Sequence, residues 1–435
     1  MFMTFLARTR VAIATAVLLS APAFAQMIDN TQAPNNAKAG MNKSLSDEIG
    51  AGRGDVTTVG SSVFLINRDP FRSIRRGRQL FQRKYTRLQG QGANEKDGVG
   101  DINTDIAIGA GLSDSCALCH GRPRGSAGSG GNFVTRPDSR DAGHLFGLGL
   151  KEMLADEITT DLRSTRDLSV TLAKQMKRPM SLKLVSKGVN YGVITGKPDG
   201  SVDSSRVQGV DSDLRVKPFF AEGSTISLRE FIVGALHNEM GLEASSDPDL
   251  LAASAGGRVV TPSGMVLDGS KDKISPPPAP DEQNGNEIDP SIVDHLEFYL
   301  LNYFKPGHGE PNAMADHGRR VFKRIGCTSC HVADFTINHD RRVADLETVY
   351  DPTRGIFNNL FATATPLYHE VDDGTGLPHL KLPLGNPFVV QDIFTDFKRH
   401  DLGANFYERN WDGTMQTQFL TRALWGVGTT GPYGH

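Results

Sequence analysis

Cysteine is scarce in this chain, at 4 of 435 residues. An excess of charge of one sign is lacking too: 47 Lys and Arg against 50 Asp and Glu leave a net charge of -3. Basic clusters such as Arg75-Arg76-Gly77-Arg78 are short, so nothing points to a nucleic-acid surface. After the first two dozen residues no stretch approaches 18 apolar residues, which excludes a membrane span in the mature chain. Hydrophobic content is 38%, with 47 glycines and 23 prolines. That balance predicts long loops ordered by something besides dense secondary structure, as a large buried prosthetic group would do.

The first 25 residues carry Arg8 and Arg10, an apolar run from Val11 to Leu19, and Ala23-Phe24-Ala25. This is the layout of a secretory signal peptide cleaved after Ala25. It places the mature protein in the periplasm. The remaining length exceeds what one core usually covers, so more than one domain is expected.

All four cysteines fall in two copies of C-x-x-C-H: Cys116-Ala-Leu-Cys119-His120 and Cys327-Thr-Ser-Cys330-His331. That spacing is the attachment signature of c-type haem. Each cysteine forms a thioether to one porphyrin vinyl group, and the adjacent histidine ligates the iron. The proximal ligands are then His120 and His331, and the cofactors two covalent haem c groups. Three other readings compete. A thioredoxin-like pair wants a strand before it, but Cys116 follows the loop GAGLSDS. Four thiolates could hold zinc, and two disulfides could form in an oxidising compartment. Both of these leave the matching histidines unexplained.

A weak internal repeat precedes the motifs. Gly77-Arg78-x-x-Phe81 with Arg83 matches Gly318-Arg319-x-x-Phe322 with Lys323. Helices are expected at 227–241, from a Ser227/Glu230 capping box to Gly241, and after Asp289-Pro290. Few strand signals stand out. The expectation is a mainly α protein with two cytochrome c-like haem domains, long loops and few short strands. Its parts would be a signal peptide at 1–25, a flexible segment at 26–66 and a first domain with insertions at 67–256. A Pro/Gly-rich linker or loop at 257–289 and a second domain at 290–435 would follow.

The motifs' order resembles the di-haem oxidoreductases of the bacterial cytochrome c peroxidase superfamily, in particular their thiol-oxidoreductase branch. The resemblance rests on GRQLFQRKYT at 77–86, HLFGLGLKEML at 144–154, SLREFIVGALHNEMGL at 227–242, GRRVFKRIGCTSCH at 318–331, FTDFKRHDLGANF at 394–406 and TRALWGVGTTGPY at 421–433. The family usually continues with more loop and a helix past the segment at which this sequence stops. The resemblance implies one haem for electron entry and one, with an accessible iron, for hydrogen peroxide. Electrons would come from a small soluble cytochrome c or cupredoxin, which basic clusters near 75–87 and 317–324 could dock. It also implies a calcium ion between domains, although no compact calcium loop stands out.

Candidate distal ligands are His400, His237, His144 and Met415. Candidate proton-transfer groups are Glu239 and Asp401; candidate electron-transfer residues are Trp425 and Trp411, the only tryptophans. Each has an ordinary alternative as a surface charge, a cap or core packing. Two other functions stay open: a pure electron carrier with both irons closed by protein ligands, and an oxidase or oxygenase acting on an organic or protein substrate.

Overall fold

A computed structural model describes residues 45–86, 89–91, 113–120, 142–279, 287–307, 309, 312–351, 353, 356–410 and 413–427. Both the leader at 1–25 and Trp411 lie outside these residues. Nine α-helices occur among them: α1 Leu45–Ile49, α2 Ser62–Arg68, α3 Pro70–Gln82, α4 Cys116–His120, α5 Leu148–Met176, α6 Leu228–Met240, α7 Pro248–Ser254, α8 Pro290–Leu301 and α9 Ala313–Arg324. None is long and apolar enough to cross a membrane.

Capping chemistry sets the helix boundaries where the sequence placed them. Ser227 Oγ accepts the Glu230 N–H at 3.1 Å, one half of the expected capping box, and donates to the Glu230 carboxylate at 3.0 Å. Gly241 closes α6 in the left-handed region at φ 62°. Asp289 Oδ1 accepts the Ser291 N–H at 2.8 Å, and Pro290 opens α8.

The expectation of a mainly α protein is overturned. Sixteen strands form seven small sheets among the described residues. The largest are a meander of β1 Met180–Ser186, β2 Val189–Gly196 and β3 Val202–Val207, and a mixed sheet at 305–306, 344–351 and 356–366. The physical reason is that much of the glycine serves hairpins. Lys187 (φ 47°) and Gly188 (φ 83°) make the two-residue turn between β1 and β2. In β1, Leu184 and Ser186 are buried while Lys183 and Val185 are exposed, the alternation of a half-buried strand.

Two stretches expected to be loose are packed. Within 26–66, Ser61 caps α2 and buries Phe64, Leu65 and Ile66; residues 26–44 lie outside the description. Within 257–289, Arg258–Val260 pairs with Val266–Asp268, burying Met265 and Leu267. From Ser291 to Leu301 every residue of α8 is buried, and one apolar cluster runs from Ile66 to Trp425.

Close approach to α8 explains two glycines. A Cβ on Gly77 of α3 would lie 2.1 Å from the His295 carbonyl oxygen, and one on Gly149 of α5 would lie 2.1 Å from that of Leu301. Gly77 and Phe81 are the first copy of the sequence repeat. In the second copy, on α9, Gly318 faces open space and no residue of the helix is buried. The basic clusters differ in the same way. Arg76 and Arg78 are buried against the core and Arg83 pairs with Glu48 at 2.9 Å, whereas the basic residues of α9 face outward.

Burying α8 also buries charge. Arg229 donates to Asp247 at 2.7 Å, Asp294 at 2.9 Å and Glu297 at 3.0 Å. Arg53 donates to Asp249 at 2.7 Å, and Ser62 Oγ donates to Asp294 at 2.6 Å. Four carboxylates face two guanidiniums, so the cluster is over-rich in acid, and Glu297 Oε1 is left without a hydrogen-bond partner among the described residues. Burial pushes the Glu297 carboxyl up to about 7, with Arg229 opposing and Asp294 adding to the shift.

Gly77→Ala is expected to destabilise the protein by about 1–3 kcal/mol through overpacking. Gly318→Ala should stabilise it by about 0.5–1 kcal/mol through helix propensity. Denaturant melts of both variants check the opposite signs. Glu297 holds its proton more tightly folded than unfolded. Its contribution is therefore complete below its ordinary value of 4.5 and is lost as pH rises through about 7. Glu297→Gln should flatten that decline in a series of thermal melts across this pH range, and an unchanged slope would refute the assignment.

Candidate functional site

The first motif is positioned from three sides. The end of α3 leads to Tyr85, whose N–H donates to Asp114 at 2.8 Å. Ser113 N–H donates to the Glu239 carbonyl at the end of α6, at 3.0 Å. His120 Nδ1, at 2.8 Å, meets the Gly143 carbonyl just before α5. A carbonyl can only accept, so Nδ1 carries the proton and Nε2 the lone pair. Burial, the leading cause, lowers the His120 pKa, which keeps the ring neutral.

Cys116, Cys119 and His120 line one cavity with about 1480 Å³ of empty space, its mouth included. Its walls are apolar, with Phe81, Phe219, Phe231, Leu236 and Leu296 among them. Burial pushes the Cys116 thiol up to about 12 and raises Cys119 as well, with the Glu239 carboxylate adding to the latter. Such thiols stay protonated at neutral pH, the opposite of a reactive redox pair.

His144 lines the same cavity. Its Nε2 donates to the Ala423 carbonyl at 3.3 Å, which makes Nδ1 the lone-pair atom. That Nδ1 is buried without a hydrogen-bond partner among the described residues. An orphaned buried imidazole nitrogen beside the His120 ring is what a ligand site leaves when its ligand is not included. Among the described residues Glu239 is the one carboxylate in the lining, and burial pushes it up to about 7. Met240 and Lys151 also line the cavity and were missed from sequence. Met240 ends the helix that the capping box begins, so its register could have flagged it. For Lys151, nothing in the sequence distinguishes it from any lysine on a helix.

The second motif is built differently. Cys327–Ser329 forms a 3-10 turn after α9, and both Cys327 and Cys330 are half-buried. His331 Nδ1 meets the Phe394 carbonyl at 2.8 Å, which selects the same tautomer as in His120. Asp392, Phe394 and Phe397 all hold positive φ, at 52°, 54° and 55°. Three such non-glycine residues in six positions store strain, and the conformation carries the Phe394 carbonyl to His331.

One wall serves both motifs. Thr395 lines the first cavity, one residue from the carbonyl that holds His331. Thr395 Oγ1 donates to the Thr421 carbonyl at 2.6 Å, and Leu424 N–H donates to the Ile393 carbonyl at 3.0 Å. Ala423 in turn accepts from His144. Trp425 closes this wall: it packs on Gly147, and its Nε1 donates to the Gln391 carbonyl at 3.2 Å.

The structure thus gathers Cys116, Cys119, His120, His144 and Glu239 at one cavity, while Trp425 packs on Gly147 just before α5. It does not bring the other candidates there. His237 pairs with Glu243 at 3.0 Å and lines a second cleft. His400 pairs with Asp396 at 2.8 Å beside Cys330; these three offer donor atoms within 4.8 Å of one another, the one such group found among the described residues. The two cysteine pairs do not converge on a four-thiolate centre. Met415 is exposed on the short strand Met415–Gln416. Asp401 accepts from Gly403 N–H and Tyr407 O–H, an exposed turn. Comparison with family models, with curated proteins and with solved structures gave no match.

In the chain without a cofactor, the Cys116 thiol is expected to react with an alkylating reagent about a thousandfold more slowly than in the denatured chain, as a thiol moved from 9.0 to about 12 should. Timed alkylation read by peptide mass spectrometry checks this; equal rates would mean that the cavity is not closed around the thiol.

Proposed function

We propose that this chain is a periplasmic di-haem c oxidoreductase of the peroxidase type. It reduces hydrogen peroxide with electrons from a small soluble cytochrome c or cupredoxin. The observation that carries the reading is the first cavity, where both thiols and the histidine of one C-x-x-C-H face a single apolar space beside a second, orphaned imidazole. Cys116 and Cys119 would hold the first haem covalently with His120 as iron ligand; Cys327, Cys330 and His331 would hold the second. Haem, when bound, supplies the redox chemistry that divides the peroxide O–O bond.

The protein's part is positioning and proton management. The Gly143 and Phe394 carbonyls fix the two proximal imidazoles with their lone pairs on Nε2. Apolar walls limit water at the reacting centre. Reducing peroxide to two waters takes two protons as well as two electrons. Glu239, which burial pushes up to about 7, can release and regain a proton at neutral pH and is the one lining carboxyl among the described residues. Trp425, packed on Gly147 and bonded to the Gln391 carbonyl, would be an aromatic candidate for electron passage.

A second reading draws on His144 and Met240. Both line the cavity, and either side chain could close the first iron's open side. The chain would then be an electron carrier inert to peroxide.

One experiment separates these. The exported, haem-loaded protein is examined by optical and EPR spectroscopy when oxidised, when half-reduced, and after stoichiometric peroxide. Two haems with one high-spin or ligand-accessible iron, converted rapidly by peroxide, are expected. Glu239→Gln should slow that conversion by about a hundredfold or more while leaving the resting spectrum unchanged. Two low-spin irons in every state, inert to peroxide, would leave the electron carrier; no haem at all would overturn both readings.

A further inference from the structure

Helix α6 stands between two spaces. Phe231, Ile232 and Leu236 line the first cavity, while Val233, Gly234 and His237 line the second cleft. Among the described residues only Phe220, Ala235 and Glu239 line both. One of these three is a single methyl group. Another, Phe220, holds φ 61°, a costly conformation for a bulky residue, with its ring 5.1 Å from that of Phe231. The third, Glu239, is half-buried, and it stands beside Cys119 on the cavity side. The cleft is polar where the cavity is apolar. Glu230, His237, Asn238 and Lys273 line it, and Lys273 is exposed, so the cleft opens to water. Glu230 Oε1 accepts the Ser275 N–H at 3.1 Å, which holds Pro276 and Pro278 as the far wall. Gly234 is the residue that packing does not explain. It lies in the middle of α6, where glycine weakens a helix. Unlike Gly77 and Gly149 it has no close neighbour: a Cβ there would meet nothing within 4 Å. The effect of its missing side chain is to leave the cleft clear.

We propose that the second cleft is an entrance to the first cavity for small polar molecules, with Phe220, Ala235 and Glu239 as its gate and Gly234 keeping the approach open. The inference rests on the peroxidase reading above and adds to it the path by which hydrogen peroxide arrives and water leaves. The cavity's apolar walls offer such molecules no hydrogen bonds, so a route through them is costly. Glu239 is the polar group that faces both spaces, and its carboxyl can take a molecule from the cleft and hand it on.

The test has two parts. In the full chain isolated before haem attachment, with its thiols reduced, the wild type, Gly234→Ala, Gly234→Gln and Gly234→Phe are treated with iodoacetamide. The rate at Cys119 is read by peptide mass spectrometry. Gly234→Phe fills the cleft and is expected to slow Cys119 by about tenfold or more, because a thiol reacts only as fast as it can be reached. Gly234→Gln, a better helix former that also projects into the cleft, should act in the same direction. Gly234→Ala should stay near the wild-type rate. Cys330, in the second motif, should react alike in all four proteins, which shows that the variants are folded. An undiminished rate at Cys119 in both Gly234→Phe and Gly234→Gln would overturn the entrance, whatever the protein does with peroxide. In the haem-loaded protein, Gly234→Phe should lower the bimolecular rate with peroxide by a like factor and leave the resting spectrum unchanged. A slowed Cys119 with undiminished peroxide conversion would overturn the assignment of the entrance to peroxide. A wild type inert to peroxide would overturn the peroxidase reading and that assignment with it, while a slowed Cys119 would still establish the passage.

Discussion

Helix α8 is buried on all sides from Ser291 to Leu301, and the rest of the protein is arranged by what that burial requires. A helix covered all round is usually apolar all round. This one carries Asp294, His295 and Glu297 into the core. Their presence obliges Arg229 and Arg53 to come inward, and with them the ends of α6 and of the segment before α2. His295 is kept neutral, its pKa pushed down to about 3 by burial and by Arg76, and its Nδ1 lies 2.9 Å from Ser73 Oγ on α3. At the C-terminal end of α8, Asn302 accepts from the Val343 and Ala344 N–H groups and so ties the helix to the mixed sheet. Packing and charge satisfaction thus act through the same few side chains.

The cavity follows from these contacts. α3 meets α8 at Gly77 and α5 meets it at Gly149, each at a distance that only a glycine permits. α6 reaches α8 through Arg229, and its last turn brings Glu239 and Met240 over the first motif. Leu296 and Leu300 of α8 supply part of the cavity floor.

Much of this was legible in the sequence where local chemistry decides. Ser227, Glu230 and Gly241 bounded α6, and Asp289-Pro290 began α8, because caps are satisfied by neighbours in the chain. The motif residues were legible because their spacing is itself the signal. His144 and Glu239 were named from the sequence and do meet at the cavity, yet His237, two residues before Glu239, faces Glu243 instead; about half a helical turn separates the two outcomes. The sheets were not legible, because Lys187-Gly188 reads as loop until its partners are known. The repeat misled in a particular way. Gly77 and Gly318 sit in like sequences, but only Gly77 has a helix against it, and a partner distant in the chain leaves no local trace.

The shared wall has a consequence for how the molecule is assembled. The cavity's lining begins at Phe81 and is completed by Thr421, Arg422 and Ala423. A chain made from its N-terminus therefore exposes Cys116 and Cys119 long before the residues that enclose them exist. Until then the Gly143 carbonyl can orient His120, but nothing can seal the space. Any agent that must reach those two thiols has the interval between the making of the motif and the arrival of the last wall. Closure afterwards fixes whatever has been placed there, so the order of synthesis, as much as the final geometry, determines what the cavity contains.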